Sequence, residues 1–189
     1  ESESRGLGDV YKRQPFNIPS GSMIPTLLVG DYLFVSKYSY GYSKYSFPFG
    51  VVPISDRVLD EAPKRGDVIV FRKPGDESID YIKRLVGLPK DTIQVKKGIL
   101  FINSKKIKRV KTNIGIMKNI FGDEKVLTQY KEMFDDTNSH QIIESSDNDP
   151  FDDTIEFKVP NGHFFFMGDN RDNSRAVSYT HLTLPTTDW

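Results

Sequence analysis

Residues 81–89 read Tyr81-Ile82-Lys83-Arg84-Leu85-Val86-Gly87-Leu88-Pro89. The first six are mostly aromatic and aliphatic residues that suit a pleated, half-buried surface, and a glycine and a proline close the run. A strand here sets Tyr81, Lys83 and Leu85 on one face and Ile82, Arg84 and Val86 on the other. Lys83 is open to two readings. On a buried face it is desolvated, its pKa falls, and a neutral amine becomes available as a base. At a sheet edge its stem lies on apolar surface and the ammonium reaches water.

Working outward, the same composition recurs at 31–37 (DYLFVSK), 67–72 (DVIVFR), 92–96 (TIQVK), 99–103 (ILFIN), 155–159 (IEFKV) and 163–167 (HFFFM). Gly, Pro, Asp or Asn bound each run, and Lys97-Gly98 reads as a hairpin turn. No long stretch keeps a 3.6-residue period. The expected fold is therefore mostly β, with short helical turns near residues 25–28 and 129–134. Residues 104–154 are polar, with an acidic run over 144–153 and few strand signals. They read as an insertion or cap, partly loop, with a disordered excursion as the alternative.

At 189 residues the chain is one domain, or one core with an insertion. Its 26 basic and 26 acidic residues balance, which gives no electrostatic case for nucleic acid. The absence of cysteine excludes disulfides, thiol catalysis and Cys-based zinc sites. Apolar runs such as Phe164-Phe165-Phe166-Met167 fall far short of the ~18 residues a membrane-spanning helix needs. No signal-peptide pattern opens the chain, and an anchor encoded outside it stays compatible with the sequence. Residues 1–14 and about 177–187 lack the patterning of the rest and resemble translated sequencing-adapter DNA. They are set aside as foreign tails, which leaves a core of 15–103 and 155–176 around the insertion.

Ser22 in Pro19-Ser20-Gly21-Ser22-Met23 is a candidate nucleophile. Its hydroxyl needs a base to take its proton. Gly21 permits the sharp turn that exposes the side chain. The Ser20 hydroxyl and the Ser22 N–H are candidates for an oxyanion hole. Taken alone, Ser-Gly-Ser is most often an ordinary turn. The histidines make no compact triad: His140 lies in the insertion, His163 beside a turn and His181 in a tail. Lys83 is the better base. The run Gly168-Asp169-Asn170-Arg171-Asp172-Asn173-Ser174 follows the HFFFM strand and is dense in locally hydrogen-bonding side chains. It either orients the lysine or forms a polar loop with an Asp–Arg surface pair.

Segments 19–27 (PSGSMIPTL), 65–72 (RGDVIVFR), 81–89 (YIKRLVGLP) and 168–174 (GDNRDNS) stand in the order found in bacterial type I signal peptidases, which this chain resembles over about 15–103 and 155–174. The resemblance implies a core of antiparallel sheets with an inserted polar cap. It implies Ser22 as nucleophile, Lys83 as general base, Ser20 as an oxyanion-hole hydroxyl and Ser174 as the hydroxyl that orients the lysine. No metal or organic cofactor is implied. The implied substrates are secretory preproteins with Ala-x-Ala-type signal peptides, cut after small residues at the −1 and −3 positions. Ile18, Met23, Leu27, Tyr81 and Ile82 match the −1 pocket, with Phe16, Leu33, Val70 and Asp80 toward the −3 side; plain core packing accounts equally well for each. The implied place of action is the outer face of the bacterial cytoplasmic membrane. The aromatic segment 38–53 reads either as a lipid-dipping hairpin or as a strand face packed on the core.

Two departures stand out. Where the family continues with a second Asp-Ser-Arg, this chain has Ala176 and Ser178, and the family's later strands do not follow. A sheet without them exposes an edge, so weaker activity or stability of this segment is expected. Two other functions compete: a self-cleaving repressor-type Ser/Lys autoprotease, and an inactive peptide-binding β module. The first commonly cuts at Ala-Gly or Cys-Gly, and neither dipeptide occurs here. Retention of Ser20, Ser22, Lys83 and Ser174 argues against the second.

Overall fold

The computed structural model describes residues 13–36, 62–73, 76–118, 124–146, 152–173 and 182–185. In chain order the strands are β1 (Arg13–Asn17), β2 (Tyr32–Ser36), β3 (Val68–Lys73), β4 (Asp76–Gly87), β5 (Thr92–Lys96), β6 (Ile99–Ile102) and β7 (Lys105–Lys106). They continue as β8 (Lys108–Lys118), β9 (Glu124–Met133), β10 (Ser139–Glu144), β11 (Phe157–Lys158), β12 (His163–Met167) and β13 (Leu182–Pro185). The helical element among the described residues is a 3₁₀ turn at Gly21–Met23. The chain is thus mostly β, and the named strands pair antiparallel throughout.

Two compact units divide the chain: residues 1–19 with 29–64, and residues 20–28 with 65–189. In the first, β1 pairs with β2 from Arg13↔Ser36 to Asn17↔Tyr32. Two bonds extend the ladder, from Ile18 N–H to the Asp31 carbonyl (3.0 Å) and from Gly30 N–H to the Ile18 carbonyl (2.9 Å). Along β2, Tyr32 and Phe34 are exposed while Leu33 and Val35 are half-buried, the period of two expected of a strand.

In the second unit, one sheet has the order β13-β12-β4-β3 and another the order β11-β5-β6-β7. Val86, Ile93, Val95, Leu100, Ile102, Ile107, Val159 and Phe165 form their common core. Full burial of each such aliphatic or aromatic side chain contributes about 1.5–3 kcal/mol. Gly87 is needed at the junction: a Cβ there would lie 2.9 Å from Phe165 Cβ and 3.1 Å from Val159 Cγ2. The β5–β6 hairpin turns at Lys97-Gly98 as expected, with φ of 49° and 69°, the left-handed pair a type I′ turn requires.

Residues 104–154, expected as a partly looped insertion with few strand signals, carry more strand than their sequence suggests. They hold β7 and a three-stranded sheet of order β10-β9-β8. Of residues 129–134, expected as a helical turn, 129–133 are the end of β9, whereas a single helical turn does close near Pro25 through Leu27 N–H to the Met23 carbonyl (3.0 Å). The strand signal was weak because much of the β8–β9 ribbon is exposed: Ile114, Ile116 and Val126 are all more than half exposed. With little to bury, the ribbon needs no apolar alternation. In the opposite direction, the run at 155–159 shrinks to the two residues of β11, with Ile155 fully outside. The outer strands also take in residues set aside as tails, Arg13 and Gln14 in β1 and all of β13.

Candidate active site

β4 is an interior strand. β3 flanks it on one side, pairing Ile69↔Lys83 and Phe71↔Tyr81, and β12 on the other, pairing Phe166↔Leu85. Lys83 therefore cannot reach water past a sheet edge. Only 4% of it is exposed, and Ser22, in the 3₁₀ turn, is 5% exposed. Lys83 Nζ lies 2.5 Å from Ser22 Oγ and 3.1 Å from the Ile82 carbonyl oxygen. Ser20 Oγ is 3.3 Å from Ser22 Oγ. The Tyr81 ring lies 5.6 Å from the amine. Burial lowers the Lys83 pKa from 10.5 to about 8, against an opposing pull from the Asp169 carboxylate. The result is a hydroxyl in contact with an amine that loses its proton near physiological pH.

The neighbouring cation has a different setting. Arg84 Nε and NH2 donate to the two Asp169 oxygens at 2.8 and 2.7 Å, and NH1 donates to the Gly66 carbonyl at 2.6 Å. Thr26 Oγ1 also donates to Asp169. Asp169 is 1% exposed, so its pair with Arg84 is buried and replaces the surface Asp–Arg pair considered within the 168–174 loop. Arg171 instead meets Glu132 of β9 at 2.5 Å. His140 stacks on Phe134, with its Nε2 3.3 Å from Glu132. Burial alone would raise the Glu132 pKa, but Arg171 and His140 hold it well below the usual carboxylate range.

A family profile described as signal peptidase, peptidase S26, matches residues 7–177. The chain belongs to the peptidase S26 family of signal peptidases. It is 42% identical over 170 residues to signal peptidase I of Rickettsia typhi, covering 85% of this chain and 62% of that protein. Signal peptidase I of Rickettsia conorii gives the same identity over 169 residues, with the same coverage. The chain thus spans 62% of the length of these curated relatives.

Several of the pocket positions implied by the resemblance lie on the elements that carry Ser22 and Lys83. Met23 is fully buried beside Ser22, Leu27 is half-buried, and Tyr81 shares the Lys83 face of β4. Ile82 is cross-strand from Val70, and Asp80 from Arg72, so Ile82, Val70 and Asp80 alternate with the Lys83 set. Phe16, Ile18 and Leu33 belong to the other compact unit, where Phe16 pairs with Leu33. Ser174 and the aromatic segment 38–53 lie outside the described residues. His163 opens β12 directly after the 161–162 turn, its Nδ1 3.0 Å from the Asn161 carbonyl oxygen. Asp169 and Asn170 fall in the run marked out by the sequence, but their partners, Arg84 for the first and the Gly21 carbonyl for the second, were not foreseen, nor was the buried charge of Glu132. An arginine beside a buried lysine in an apolar strand was the available signal, since it requires a carboxylate partner.

Proposed function

We propose that this chain carries the catalytic core of a membrane-associated serine endopeptidase that removes signal peptides from secreted preproteins. The observation that supports it most is the 2.5 Å approach of two buried groups, Ser22 Oγ and Lys83 Nζ, with the amine held at about 8. Neutral Lys83 takes the Ser22 proton as Oγ attacks the scissile carbonyl carbon. The oxyanion accepts hydrogen bonds from the Ser22 N–H and the Ser20 hydroxyl. The Lys83 ammonium then protonates the leaving amine as the C–N bond breaks. The same amine deprotonates a water, which attacks the acyl ester and releases the carboxylate while Ser22 recovers its proton. Ser174 orients the amine, as its place in the motif suggests.

Met23, Leu27, Tyr81 and Ile82 are suited to a shallow apolar pocket for a small −1 side chain, and Val70 and Asp80 to the −3 side. Exposed Tyr32 and Phe34 on β2 favour contact with the membrane interface; the resemblance to signal peptidases is what suggests the outer face of the cytoplasmic membrane. The test is cleavage of a preprotein bearing Ala-x-Ala, with Ser22→Ala and Lys83→Ala alongside. Both variants should be inactive, and the wild-type rate should rise with pH through an apparent pKa near 8. Cleavage that survives either substitution rules out the dyad.

A further inference from the structure

The turn that carries Ser22 has little to hold it by itself. Its 3₁₀ segment has no side-chain cap, and its closing bond, from Ile24 N–H to the Gly21 carbonyl, is long at 3.3 Å. The loop after β12 supplies what is missing. Asn170 N–H donates to the Ser22 carbonyl and Asn170 Nδ2 donates to the Gly21 carbonyl, each at 3.1 Å. The same side chain accepts from Asn173 N–H at 3.1 Å through Oδ1, and Asn170 is buried. The loop packs closely enough that a Cβ on Gly21 would lie 3.1 Å from Asn173 Nδ2.

That loop is anchored in turn by the insertion. Ile143 N–H donates to the Asp169 carbonyl and Arg171 N–H to the Ile143 carbonyl, both at 3.0 Å, so Asn170 lies in a parallel bridge to β10. Ser145 N–H donates to Asp172 Oδ2 at 2.6 Å, and the Ser145 hydroxyl joins it. Arg171 and Glu132 add a buried ion pair. Contacts therefore run without a break from β9 and β10 to the Gly21–Ser22 turn.

We propose that Asn170 is a positioning residue for Ser22, an inference that rests on the Ser22–Lys83 reading above. The two carbonyls it holds belong to the peptide planes on either side of Ser22. Fixing both planes fixes the Ser22 backbone dihedrals, and with them the Cα–Cβ direction from which a single staggered χ1 points Oγ at Lys83. The plane before Ser22 also carries the Ser22 N–H, trans to the Gly21 carbonyl. Asn170 thus aims the nucleophile and the oxyanion donor with one side chain and one amide.

Two substitutions separate this from general support. Asn170→Asp keeps the Oδ1 acceptor for Asn173 and sets an oxygen against the Gly21 carbonyl in place of the donor. Asn170→Ala removes both. Each should lower kcat on an Ala-x-Ala peptide by about 10- to 100-fold, with KM within about twofold, because misaligned reacting groups lose rate rather than ground-state binding. A peptide boronate, which forms a tetrahedral serine adduct, should lose affinity by a similar factor. Wild-type kcat in a folded Asn170→Asp protein, or a loss confined to KM, would overturn the proposal. So would loss of a cooperative thermal transition in both variants, which would make Asn170 a general fold residue. Ser22→Ala is run in parallel. If it still cleaves, the dyad reading falls and takes the inference with it; if it is inactive and the Asn170 variants match wild type, only the inference falls.

Discussion

Lys83 is 4% exposed, and its pKa falls from 10.5 in a free side chain to about 8, chiefly through burial. Below pH 8 the folded protein must then hold a buried ammonium, at a cost of about 3 kcal/mol for that difference in pKa. Between pH 8 and 10.5 the unfolded chain binds more protons at this site than the folded one, so stability rises with pH across that window. Methionine has a similar length and no charge to desolvate. Lys83→Met should therefore stabilise the protein at pH 7 by about 2 kcal/mol, after subtracting about 1 kcal/mol for the lost contact with Ser22. The melting temperature should rise by about 4–8 °C, while peptidase activity disappears. Urea unfolding followed by far-ultraviolet circular dichroism at pH 7 and pH 10 compares the full cost with a condition in which most of it has gone. The advantage of the variant should shrink or reverse at the higher pH. A Lys83→Met protein less stable than wild type at pH 7, or an equal gap at both pH values, would refute the claim that burial of the charge sets the amine's pKa.

Asp169→Asn should destabilise by about 3–5 kcal/mol in the same assay, because Arg84 is left as a buried charge without its anion. In whatever fraction stays folded, the acid limb of the rate profile should move to lower pH, since Asp169 pulls the Lys83 pKa upward. Glu132 is ionised in the folded state well below its usual 4.5, so its contribution is present above that pH and lost as pH falls through the folded-state value. Glu132→Gln should be less stable at pH 7, and its stability should decline less steeply than wild type below pH 4.5, as read from acid unfolding curves. Gly66 has φ of +100°, and a Cβ there would lie 2.5 Å from Asn138 Nδ2. Gly66→Ala should cost about 2 kcal/mol or more, measured as a shift of the urea midpoint at constant slope.

The strands that bury a face were legible in the sequence, and those that do not were hidden. β5 and β12 coincide with their runs because Ile93, Val95 and Phe164 to Phe166 had to be apolar. β8 and β9 left little trace, since much of their ribbon is exposed and backbone pairing there makes little demand on side-chain pattern. The site divides along the same line. Lys83 is an uncommon residue for a buried strand and draws attention by itself, whereas Ser22 is ordinary in a turn and gains meaning only beside that lysine. Asn170 acts through one amide and one side chain in a loop where every residue forms hydrogen bonds easily, so its type is uninformative. Glu132 and His140 were read as part of a solvated insertion; only the fold shows that Arg171 reaches back to meet the first of them.

Lys83 and Arg84 are successive residues of one strand, and their contrast explains which of them can be a base. Arg84 has both oxygens of a buried carboxylate, a carbonyl and a hydroxyl around it, and a guanidinium keeps its proton in any case. By binding both oxygens of Asp169, it also limits what that charge does to its neighbour. Lys83 meets a hydroxyl and a carbonyl, which accept hydrogen bonds but carry no net charge. Asp169 reaches it only through space, and burial outweighs the attraction. The carboxylate is thus committed to the residue that cannot lose a proton, and the residue that can is left to desolvation. This division requires Asp169 to stay locked on Arg84, and the bonds from β10 to the 169–172 loop are what hold it there.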